Sequence, residues 1–194
     1  SFFMAGFECS THRNKRRHRL DMIAATHHDM LAHEDYRQLA EHGIRTARDG
    51  VRWHLIETRP GHYDWSSVLP MIRAAERAGT QVVWDICHYG WPDDLDVFTP
   101  AFVDRFARYA AAFARLHREE TGRAPLVCPV NEISFLAYAG GDMERCNPHA
   151  TGRGMDLKRN LVRAAIAGTH AVRAAVPGTR VAAIDPVIHI VPRH

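Results

Sequence analysis

The sequence of 194 residues lacks the long apolar run that a membrane-spanning helix requires. No stretch approaches the ~20 apolar residues needed to cross a bilayer. Residues 2–6 have neither a basic first part nor a long apolar centre, so they do not predict a signal peptide. There is no low-complexity tract, and 46% of the residues are hydrophobic while 24% are charged. This composition is typical of a globular chain, and we expect a single domain over residues 1–194.

Cysteine is scarce, and the four residues form no Cys-x-x-Cys pair; they are Cys9, Cys87, Cys128 and Cys146. Their spacings do not fit a zinc site. Three of them fall in predicted strands. Reduced thiols are the usual state in the cytoplasm, so the sequence favours a cytoplasmic protein.

Signatures of nucleotide and metal sites are also missing. No Gly-x-Gly-x-x-Gly or Walker-type loop follows a predicted strand, which leaves a nucleotide site unsupported. The 14 histidines invite a metal hypothesis, and His27, His28 and Asp29 lie close to His33. Adjacent histidines diverge on a helix or strand, however, and neither His-x-His after the first strand nor His-Glu-x-x-His appears. We therefore expect no metal and no other cofactor.

Positive charge is concentrated in one segment, residues 12–19, although the net charge of the chain is only +3. Such a run can bind nucleic acid or an anionic surface. No nucleic-acid-binding motif accompanies it, so a mobile, solvated loop is the preferred interpretation. We expect neither nucleic acid nor a membrane as a partner.

Apolar strands alternate with amphipathic helices along the chain. Strands are predicted over residues 2–9, 45–53, 81–88, 126–132 and 180–190. Helices are predicted over residues 34–42, 65–79 and 156–176, and one more begins with Thr99 as N-cap and Pro100 as first helical residue. The strands lack strict period-two alternation, which is typical of a parallel sheet covered on its faces.

Polar residues near the carboxyl ends of these strands distinguish two α/β architectures. A doubly wound sheet gathers its binding residues at one switch point. Here Arg48, His88, Glu132 and Asp185 are spread over successive strand ends, which favours a (β/α)8 TIM barrel. A full barrel needs eight strands and ~250 residues. The five predicted strands and four intervening helices therefore correspond to the N-terminal part of a barrel.

The segment LVCPVNEISF, residues 126–135, begins as a buried strand and ends in an amide and a carboxylate, Asn131 and Glu132. A surface glutamate in a loop is the ordinary interpretation. The apolar and small residues before it instead indicate a strand that carries a carboxylate to a site. Burial among apolar groups raises the pKa of a carboxyl group and suits it to general acid catalysis.

Other candidates lie at the ends of the neighbouring strands. His88 in DICHYGWP is either a packed core residue or, with the aromatic rings that follow it, part of a sugar site in which Trp91 stacks on a ring. Arg48 is either a surface residue or is paired inside, because an unpaired buried charge is costly. Asp85 is expected to point inward as a partner for an arginine. Trp53 fits a core position and a binding platform equally well.

Three motifs resemble glycoside hydrolase family 1, the β-glucosidase family within a clan of barrel glycosidases. RDGVRW, which begins at Arg48, is similar to the strand-two segment of that family. HYGWP, from His88, is similar to its strand-three segment, and VNEI, which contains Glu132, to its strand-four Asn-Glu-Pro. They occur in the order of that family at consecutive strand ends, and the resemblance extends over residues 2 to about 192.

The resemblance implies retaining hydrolysis of a β-glycoside with Glu132 as acid/base. It places Asn131 and His88 on sugar hydroxyls and Arg48 on the carboxylate of the nucleophile. Asp185 falls near a polar position at the end of strand five. The nucleophile, a glutamate on strand seven, would lie beyond these 194 residues, so we expect this chain alone to be inactive.

The sequence departs from the family at two places. Ile133 replaces the proline of the strand-four motif, and the strand-one segment AGFECSTHR does not reproduce the sugar-binding glutamine. Glu8 and Arg13 are the candidates for sugar binding there. The substrate implied is a carbohydrate, and glucose is not required.

Two other functions remain open from the sequence. One is a catalytically inactive, carbohydrate-binding barrel that keeps His88, Trp91 and Asn131. The other is a metal-dependent barrel hydrolase. Because a sheet of five strands would have two open edges, we also expect either a homo-oligomer or pairing with the missing C-terminal half of the barrel.

Overall fold

The structure is a computed structural model in which residues 2–189 and 191 are described. Its β-strands are β1 (Ala5–Gly6), β2 (Thr46–Gly50), β3 (Glu57–Arg59), β4 (His62–Tyr63), β5 (Gln81–Cys87), β6 (Leu126–Val130) and β7 (Arg180–Val181). Five of them form one sheet in the order β1-β2-β5-β6-β7, and all neighbouring strands are parallel. The other two, β3 and β4, form a separate antiparallel hairpin. The parallel sheet agrees with the sequence prediction.

Helices connect the strands of this sheet. They are α1 (Met22–Ala25), α2 (His28–Glu41), α3 (Trp53–Ile56), α4 (Leu69–Ala78), α5 (Pro100–Thr121), α6 (Ile133–Leu136) and α7 (Gly154–Ala175). A π-helical segment, Ala137–Asp142, follows α6 directly. Sheet strands that follow one another in the chain are neighbours in space, as in the first part of a barrel. None of the helices in the described part of the chain has both the length and the apolar character needed to span a bilayer.

The short elements were not predicted from the sequence. Four or fewer residues make up each strand of the hairpin and each of the helices α1, α3 and α6. So few residues cannot show the periodic spacing of apolar side chains by which an element is predicted. The predicted strands are also longer than the observed ones. Strand 45–53 ends at Gly50, and Trp53 instead opens α3. Strand 126–132 ends at Val130, so Asn131 and Glu132 lie just beyond the sheet.

The last predicted strand, 180–190, is wrong beyond Val181. The chain still runs beside β6 for a few residues, since the backbone N–H of Glu132 donates to the carbonyl of Ile184 at 2.9 Å. Further along, Pro186 has no N–H that could continue a ladder. Ile190 lies outside the described residues.

Aromatic packing beneath the sheet settles the position of Trp53. Its ring is fully buried and stacks on Tyr109 of α5, with centroids 4.9 Å apart and planes at 5°. Its Nε1 donates to the buried Glu57 at 2.7 Å. Nearby, Gly168 of α7 lets α5 approach closely, because a Cβ there would lie 2.6 Å from Phe106 Cε1. Trp53 is therefore a core residue and not a binding platform.

The two faces of β2 carry different polar networks. Asp49 is fully buried and accepts hydrogen bonds from His28 Nε2 at 3.0 Å and the Tyr36 hydroxyl at 2.7 Å, both from α2. Burial alone would lower the pKa of His28, but the hydrogen bond and the charge of Asp49 raise it. Because side chains alternate along a strand, Arg48 points to the opposite face, away from α2.

Candidate active site

The polar residues predicted from the strand ends meet at one end of the sheet. Arg48 lies within β2, His88 directly follows β5, and Asn131 and Glu132 directly follow β6. The register aligns Gly50 of β2 with Asp85 of β5, and Cys87 with Val130 of β6. The carboxyl ends of parallel strands thus converge, and they bring these side chains within hydrogen-bonding reach of one another.

Arg48 is held by a fully buried carboxylate. Its Nε and Nη2 donate to the two oxygens of Asp85 at 3.1 and 2.6 Å. The Asp85 side chain has no solvent exposure, and that of Arg48 is 29% exposed. Burial opposes the charge of Arg48, but the hydrogen bonds and charge of Asp85 raise its pKa. The expectation that Asp85 points inward as a partner for an arginine is confirmed.

A chain of hydrogen bonds runs from Arg48 to Glu132. Nη2 of Arg48 donates to Oδ1 of Asn131, whose side chain is almost completely buried. Nδ2 of Asn131 donates to the hydroxyl of Tyr89 at 3.2 Å, and that hydroxyl donates to Oε2 of Glu132. Burial and the neighbouring Glu132 carboxylate raise the pKa of Tyr89. The sequence did not identify this role of the Tyr89 hydroxyl.

Two members of this hydrogen-bond chain, Tyr89 and Glu132, have left-handed backbone conformations. The φ angle is 66° at Tyr89 and 44° at Glu132. Such angles are uncommon outside glycine, and strained backbone of this kind clusters at functional sites. Asn147 fixes the Tyr89 carbonyl with a 2.8 Å hydrogen bond from its Nδ2. Position 90, which follows Tyr89, requires glycine, because a Cβ there would lie 2.0 Å from Thr11 Oγ1.

His88 and Glu8 lie on the other side of Asp85. Nδ1 of His88 is 3.2 Å from Asp85 Oδ2 and 3.0 Å from Cys9 Sγ. Its Nε2 is 3.9 Å from Oε1 of the half-exposed Glu8. Burial raises the pKa of Glu8, but the hydrogen bond from the Ser10 N–H and nearby positive charge outweigh it and lower the pKa. Glu8 therefore presents an ionised carboxylate beside His88.

Within the described residues, one group offers three metal-ligand atoms, on Cys9, Asp85 and His88. The three atoms lie 3.0 to 3.5 Å apart. The same oxygen of Asp85 already accepts from Arg48 at 2.6 Å, so a guanidinium supplies the positive charge there. Burial, followed by the charge of Asp85, raises the pKa of Cys9 and keeps its thiol protonated. The group therefore fits a hydrogen-bonded cluster better than a metal site.

Trp91 and Asp185 do not join the hydrogen-bond chain. Trp91 is 7% exposed and packs edge-on against Phe102, with centroids 5.6 Å apart. This burial favours a packing role over the predicted stacking on a sugar. Asp185 is exposed and accepts a hydrogen bond from the Ser134 N–H at 3.1 Å, at the start of α6. Ser134 lies two residues after Glu132 in the chain, so Asp185 is tied to the turn beside the network and not to the network itself.

The basic segment, residues 12–19, is more ordered than predicted. Arg13 and Arg19 form an isolated bridge with each other and share one carboxylate, Asp93. The Arg13 N–H donates to Asn147 Oδ1 at 2.7 Å, which ties the segment to the loop after β6. Residues 15–18 are exposed. The prediction of a mobile, solvated loop is therefore wrong for both ends of the segment, and Arg13 binds Asp93 instead of opening towards a sugar.

Comparison with known proteins identifies the fold. No protein-family profile and no curated protein matches the sequence. A β-glucosidase from Thermotoga maritima in complex with azafagomine has a TM-score of 0.74 at 17% identity, over 81% of this chain and 38% of that chain. A family 1 β-glucosidase from the same organism gives 0.72 at 18%, over 79% and 37%. A β-glycosidase gives 0.66 at 20%, over 80% and 45%.

These similarities confirm the predicted fold class. The chain has the fold of the N-terminal part of a (β/α)8 barrel and is similar in structure to family 1 β-glucosidases and related β-glycosidases. It spans less than half of the length of these three proteins.

Proposed function

We propose that this chain carries the acid/base part of a retaining β-glycosidase site, with Glu132 as the proton donor. The observation that carries the proposal is the hydrogen-bond chain from Asp85 through Arg48 and Asn131 to Glu132, at the carboxyl ends of three neighbouring strands. Active sites of barrel enzymes are built at this end of the sheet. The similarity to β-glycosidases supports a carbohydrate as the substrate.

The proposed reaction needs two carboxyl groups ~5–5.5 Å apart. Glu132 protonates the glycosidic oxygen while a second carboxylate, from a segment outside these 194 residues, attacks the anomeric carbon. Glu132 then removes a proton from the water that hydrolyses the glycosyl-enzyme. The proposed reaction uses these two carboxyl groups and the hydrogen bonds around them, and it requires no cofactor.

The sugar would be held by His88, Glu8 and Asn131. His88 Nε2 and the ionised Glu8 lie side by side, where both can form hydrogen bonds with neighbouring hydroxyls. Asn131 already uses one lone pair for Arg48 and one N–H for Tyr89. An amide has two of each, so one N–H remains for a sugar hydroxyl. Arg48 would also face the second carboxylate and keep it ionised.

A carbohydrate-binding barrel without hydrolysis is the second candidate. His88, Glu8 and Asn131 are held by contacts within this chain and do not depend on a nucleophile. A metal-dependent hydrolase is disfavoured, because Arg48 occupies the Asp85 oxygen that would bind the ion. A cytoplasmic location, and an oligomer or a longer polypeptide that covers the open edges of the sheet, also remain proposals.

Glu132→Gln tests the acid/base role in a parent polypeptide that includes the second carboxylate. Hydrolysis should fall most for substrates with poor leaving groups, because these need protonation, by about 10²–10⁴-fold. Azide should restore turnover of activated aryl β-glycosides. Glu119→Gln, on the exposed face of α5, is the matched control and should leave rates unchanged.

Equal losses on activated and poor substrates, without rescue by azide, would argue against Glu132 as acid/base. The 194-residue chain should be assayed alongside, after size-exclusion chromatography with light scattering. We expect no turnover. A monomer of this chain that hydrolyses aryl β-glycosides would contradict the proposal that the second carboxylate comes from outside it.

A further inference from the structure

The hydrogen-bond chain that ends on Glu132 has a fixed direction. A guanidinium has donors and no acceptor. The atom of Asn131 that contacts Arg48 must therefore be the carbonyl oxygen, Oδ1. This requirement fixes the orientation of the amide, which leaves Nδ2 facing Tyr89. The orientation of Asn131 thus follows from chemistry as well as from geometry.

The direction continues through Tyr89. Its hydroxyl oxygen accepts a hydrogen bond from Nδ2 of Asn131 at 3.2 Å. A phenol has one proton, and among the described residues the other hydrogen-bond partner of that hydroxyl is Oε2 of Glu132. The proton of Tyr89 must therefore point at Glu132, and Oε2 is the acceptor.

We propose that Tyr89 is a positioning residue that holds Oε2 of Glu132 as an acceptor and so assigns the transferable proton to Oε1. This inference rests on the proposed acid/base role of Glu132. In the first step the proton leaves Oε1 for the glycosidic oxygen, and the electron pair of the O–H bond stays on Oε1. In the second step Oε1 takes a proton from the attacking water. Tyr89 keeps its own proton throughout.

Several contacts hold Tyr89 in place for this role. Its side chain is 6% exposed, and its ring packs edge-on against His88 with centroids 4.6 Å apart. Asn147 fixes its carbonyl, and Gly90 allows the close contact with Thr11 that locks the following turn. The hydroxyl thus has little freedom to leave Glu132, which is what accurate placement of a catalytic carboxyl requires.

The source of the directed chain is the buried ion pair at its other end. Asp85 fixes both Arg48 nitrogens that point into the network. Asn131, Tyr89 and Glu132 then each have a single orientation in which their donors meet acceptors along the network. A change at Tyr89 should therefore affect the proton on Glu132 without loss of the Arg48–Asp85 pair.

The first test does not depend on hydrolysis. Tyrosine labelled with ¹³C at Cζ is followed by NMR through alkaline pH in the 194-residue chain and in Glu132→Gln, with Tyr89→Phe to assign the signal. Removal of the neighbouring carboxylate charge should lower the ionisation midpoint of Tyr89. The Tyr63 midpoint, which burial and then Glu57 raise, should not move.

The second test uses Tyr89→Phe in the parent glycosidase. The phenyl ring keeps the packing and removes only the hydroxyl. We expect kcat on substrates with poor leaving groups to fall about 10- to 100-fold, the effect of one hydrogen bond to a charged group, while KM changes little. Activated aryl glycosides should be nearly unaffected, whereas a merely structural defect would slow both classes. Tyr138→Phe, at an exposed tyrosine of the π-helical segment, is the control.

The outcomes separate the two proposals. An unchanged Tyr89 midpoint in Glu132→Gln overturns the directed contact, whatever the parent hydrolyses. A shifted midpoint with normal turnover of Tyr89→Phe overturns the positioning role. If the midpoint shifts but the parent hydrolyses no glycoside, the proposed function of Glu132 is refuted, and the positioning role of Tyr89 with it. The hydrogen bond from Tyr89 to Glu132 would still be established by that shift.

Discussion

Replacement of Asp85 by asparagine tests how much of the stability of this end of the sheet depends on one ion pair. The change keeps the shape of the side chain and removes its charge. Arg48 would then stay in a largely buried position beside Asn131 with no carboxylate to neutralise it. A buried charge without a partner is far more costly than an intact pair is stabilising.

The magnitude follows from the contacts. Loss of one partner of a buried pair costs about 3–5 kcal/mol. Because Arg48 is 29% exposed, water can recover part of this, and we expect about 2–4 kcal/mol for Asp85→Asn. A typical domain has about 5–15 kcal/mol of stability in total. The variant should therefore fold, with a clearly lower urea midpoint.

Equilibrium urea unfolding measures the effect, and two further variants control it. Glu120→Gln removes the partner of Arg73 in a bidentate pair whose arginine is 54% exposed, and it should change the midpoint little. Arg48→Met, alone and combined with Asp85→Asn, should show a coupling of about 1–3 kcal/mol. Equal midpoint shifts in Asp85→Asn and Glu120→Gln would refute the reasoning, because burial would then make no difference.

Two other predictions concern stability. Since the hydrogen bonds and charges of Asp49 and Asp35 together outweigh burial and raise the pKa of His28, the folded state binds the extra proton more tightly than the unfolded one. The free energy of unfolding should therefore be higher below about pH 6.5 and fall as pH rises above it, and His28→Gln should flatten this dependence in urea titrations. Gly90→Ala should destabilise by about 1–3 kcal/mol or more, because its Cβ would overlap Thr11, whereas Gly6→Ala, with 3.8 Å of space, should cost under about 1 kcal/mol by thermal unfolding. A Gly90→Ala protein as stable as Gly6→Ala would show that the turn relaxes freely.

The architecture could be predicted because its main signals are local. The apolar run of β5 and the helical spacing of Phe102 and Phe106 in α5 each identify one element without knowledge of the rest. The helix boundary at Thr99 and Pro100 was correct to the residue. The Thr99 hydroxyl nevertheless donates to Asp96 at 2.7 Å and does not cap the helix, which no local pattern indicates.

Some missed features did have a signal. Pro60 and Gly61 separate β3 from β4, and a Pro-Gly pair is typical of a tight turn. Others had none. β6 ends two residues before the predicted end, and Glu132 has a left-handed conformation that no local pattern in the sequence indicates. The shared carboxylate of Asp93 lies 80 residues from Arg13, so no spacing in the sequence could associate them.

Four of the candidate site residues came together because a parallel sheet places all its carboxyl ends on one side. Arg48, His88, Asn131 and Glu132 needed only the correct strand assignment to be found. The sequence showed Tyr89 only as one of the aromatic residues that follow His88. The hydrogen bond from its hydroxyl to Glu132 accompanies a left-handed backbone angle at Tyr89, which the sequence suggests only through the following Gly90. Trp91, by contrast, is an aromatic residue that the fold uses for packing.

The hydrogen bond between Arg13 and Asn147 also affects the order in which the molecule folds, because it joins residues 134 positions apart. Closing so long a loop carries an entropic cost that only an already assembled sheet can offset. At about 5–20 residues per second, a ribosome needs on the order of 10 s to make the intervening chain. During that interval the Lys- and Arg-rich residues 12–19 have no partner in the loop after β6. The contact between Arg13 and Asn147 can therefore form only after residue 147 has been made, so this end of the basic segment is held less firmly in the nascent chain than in the finished fold.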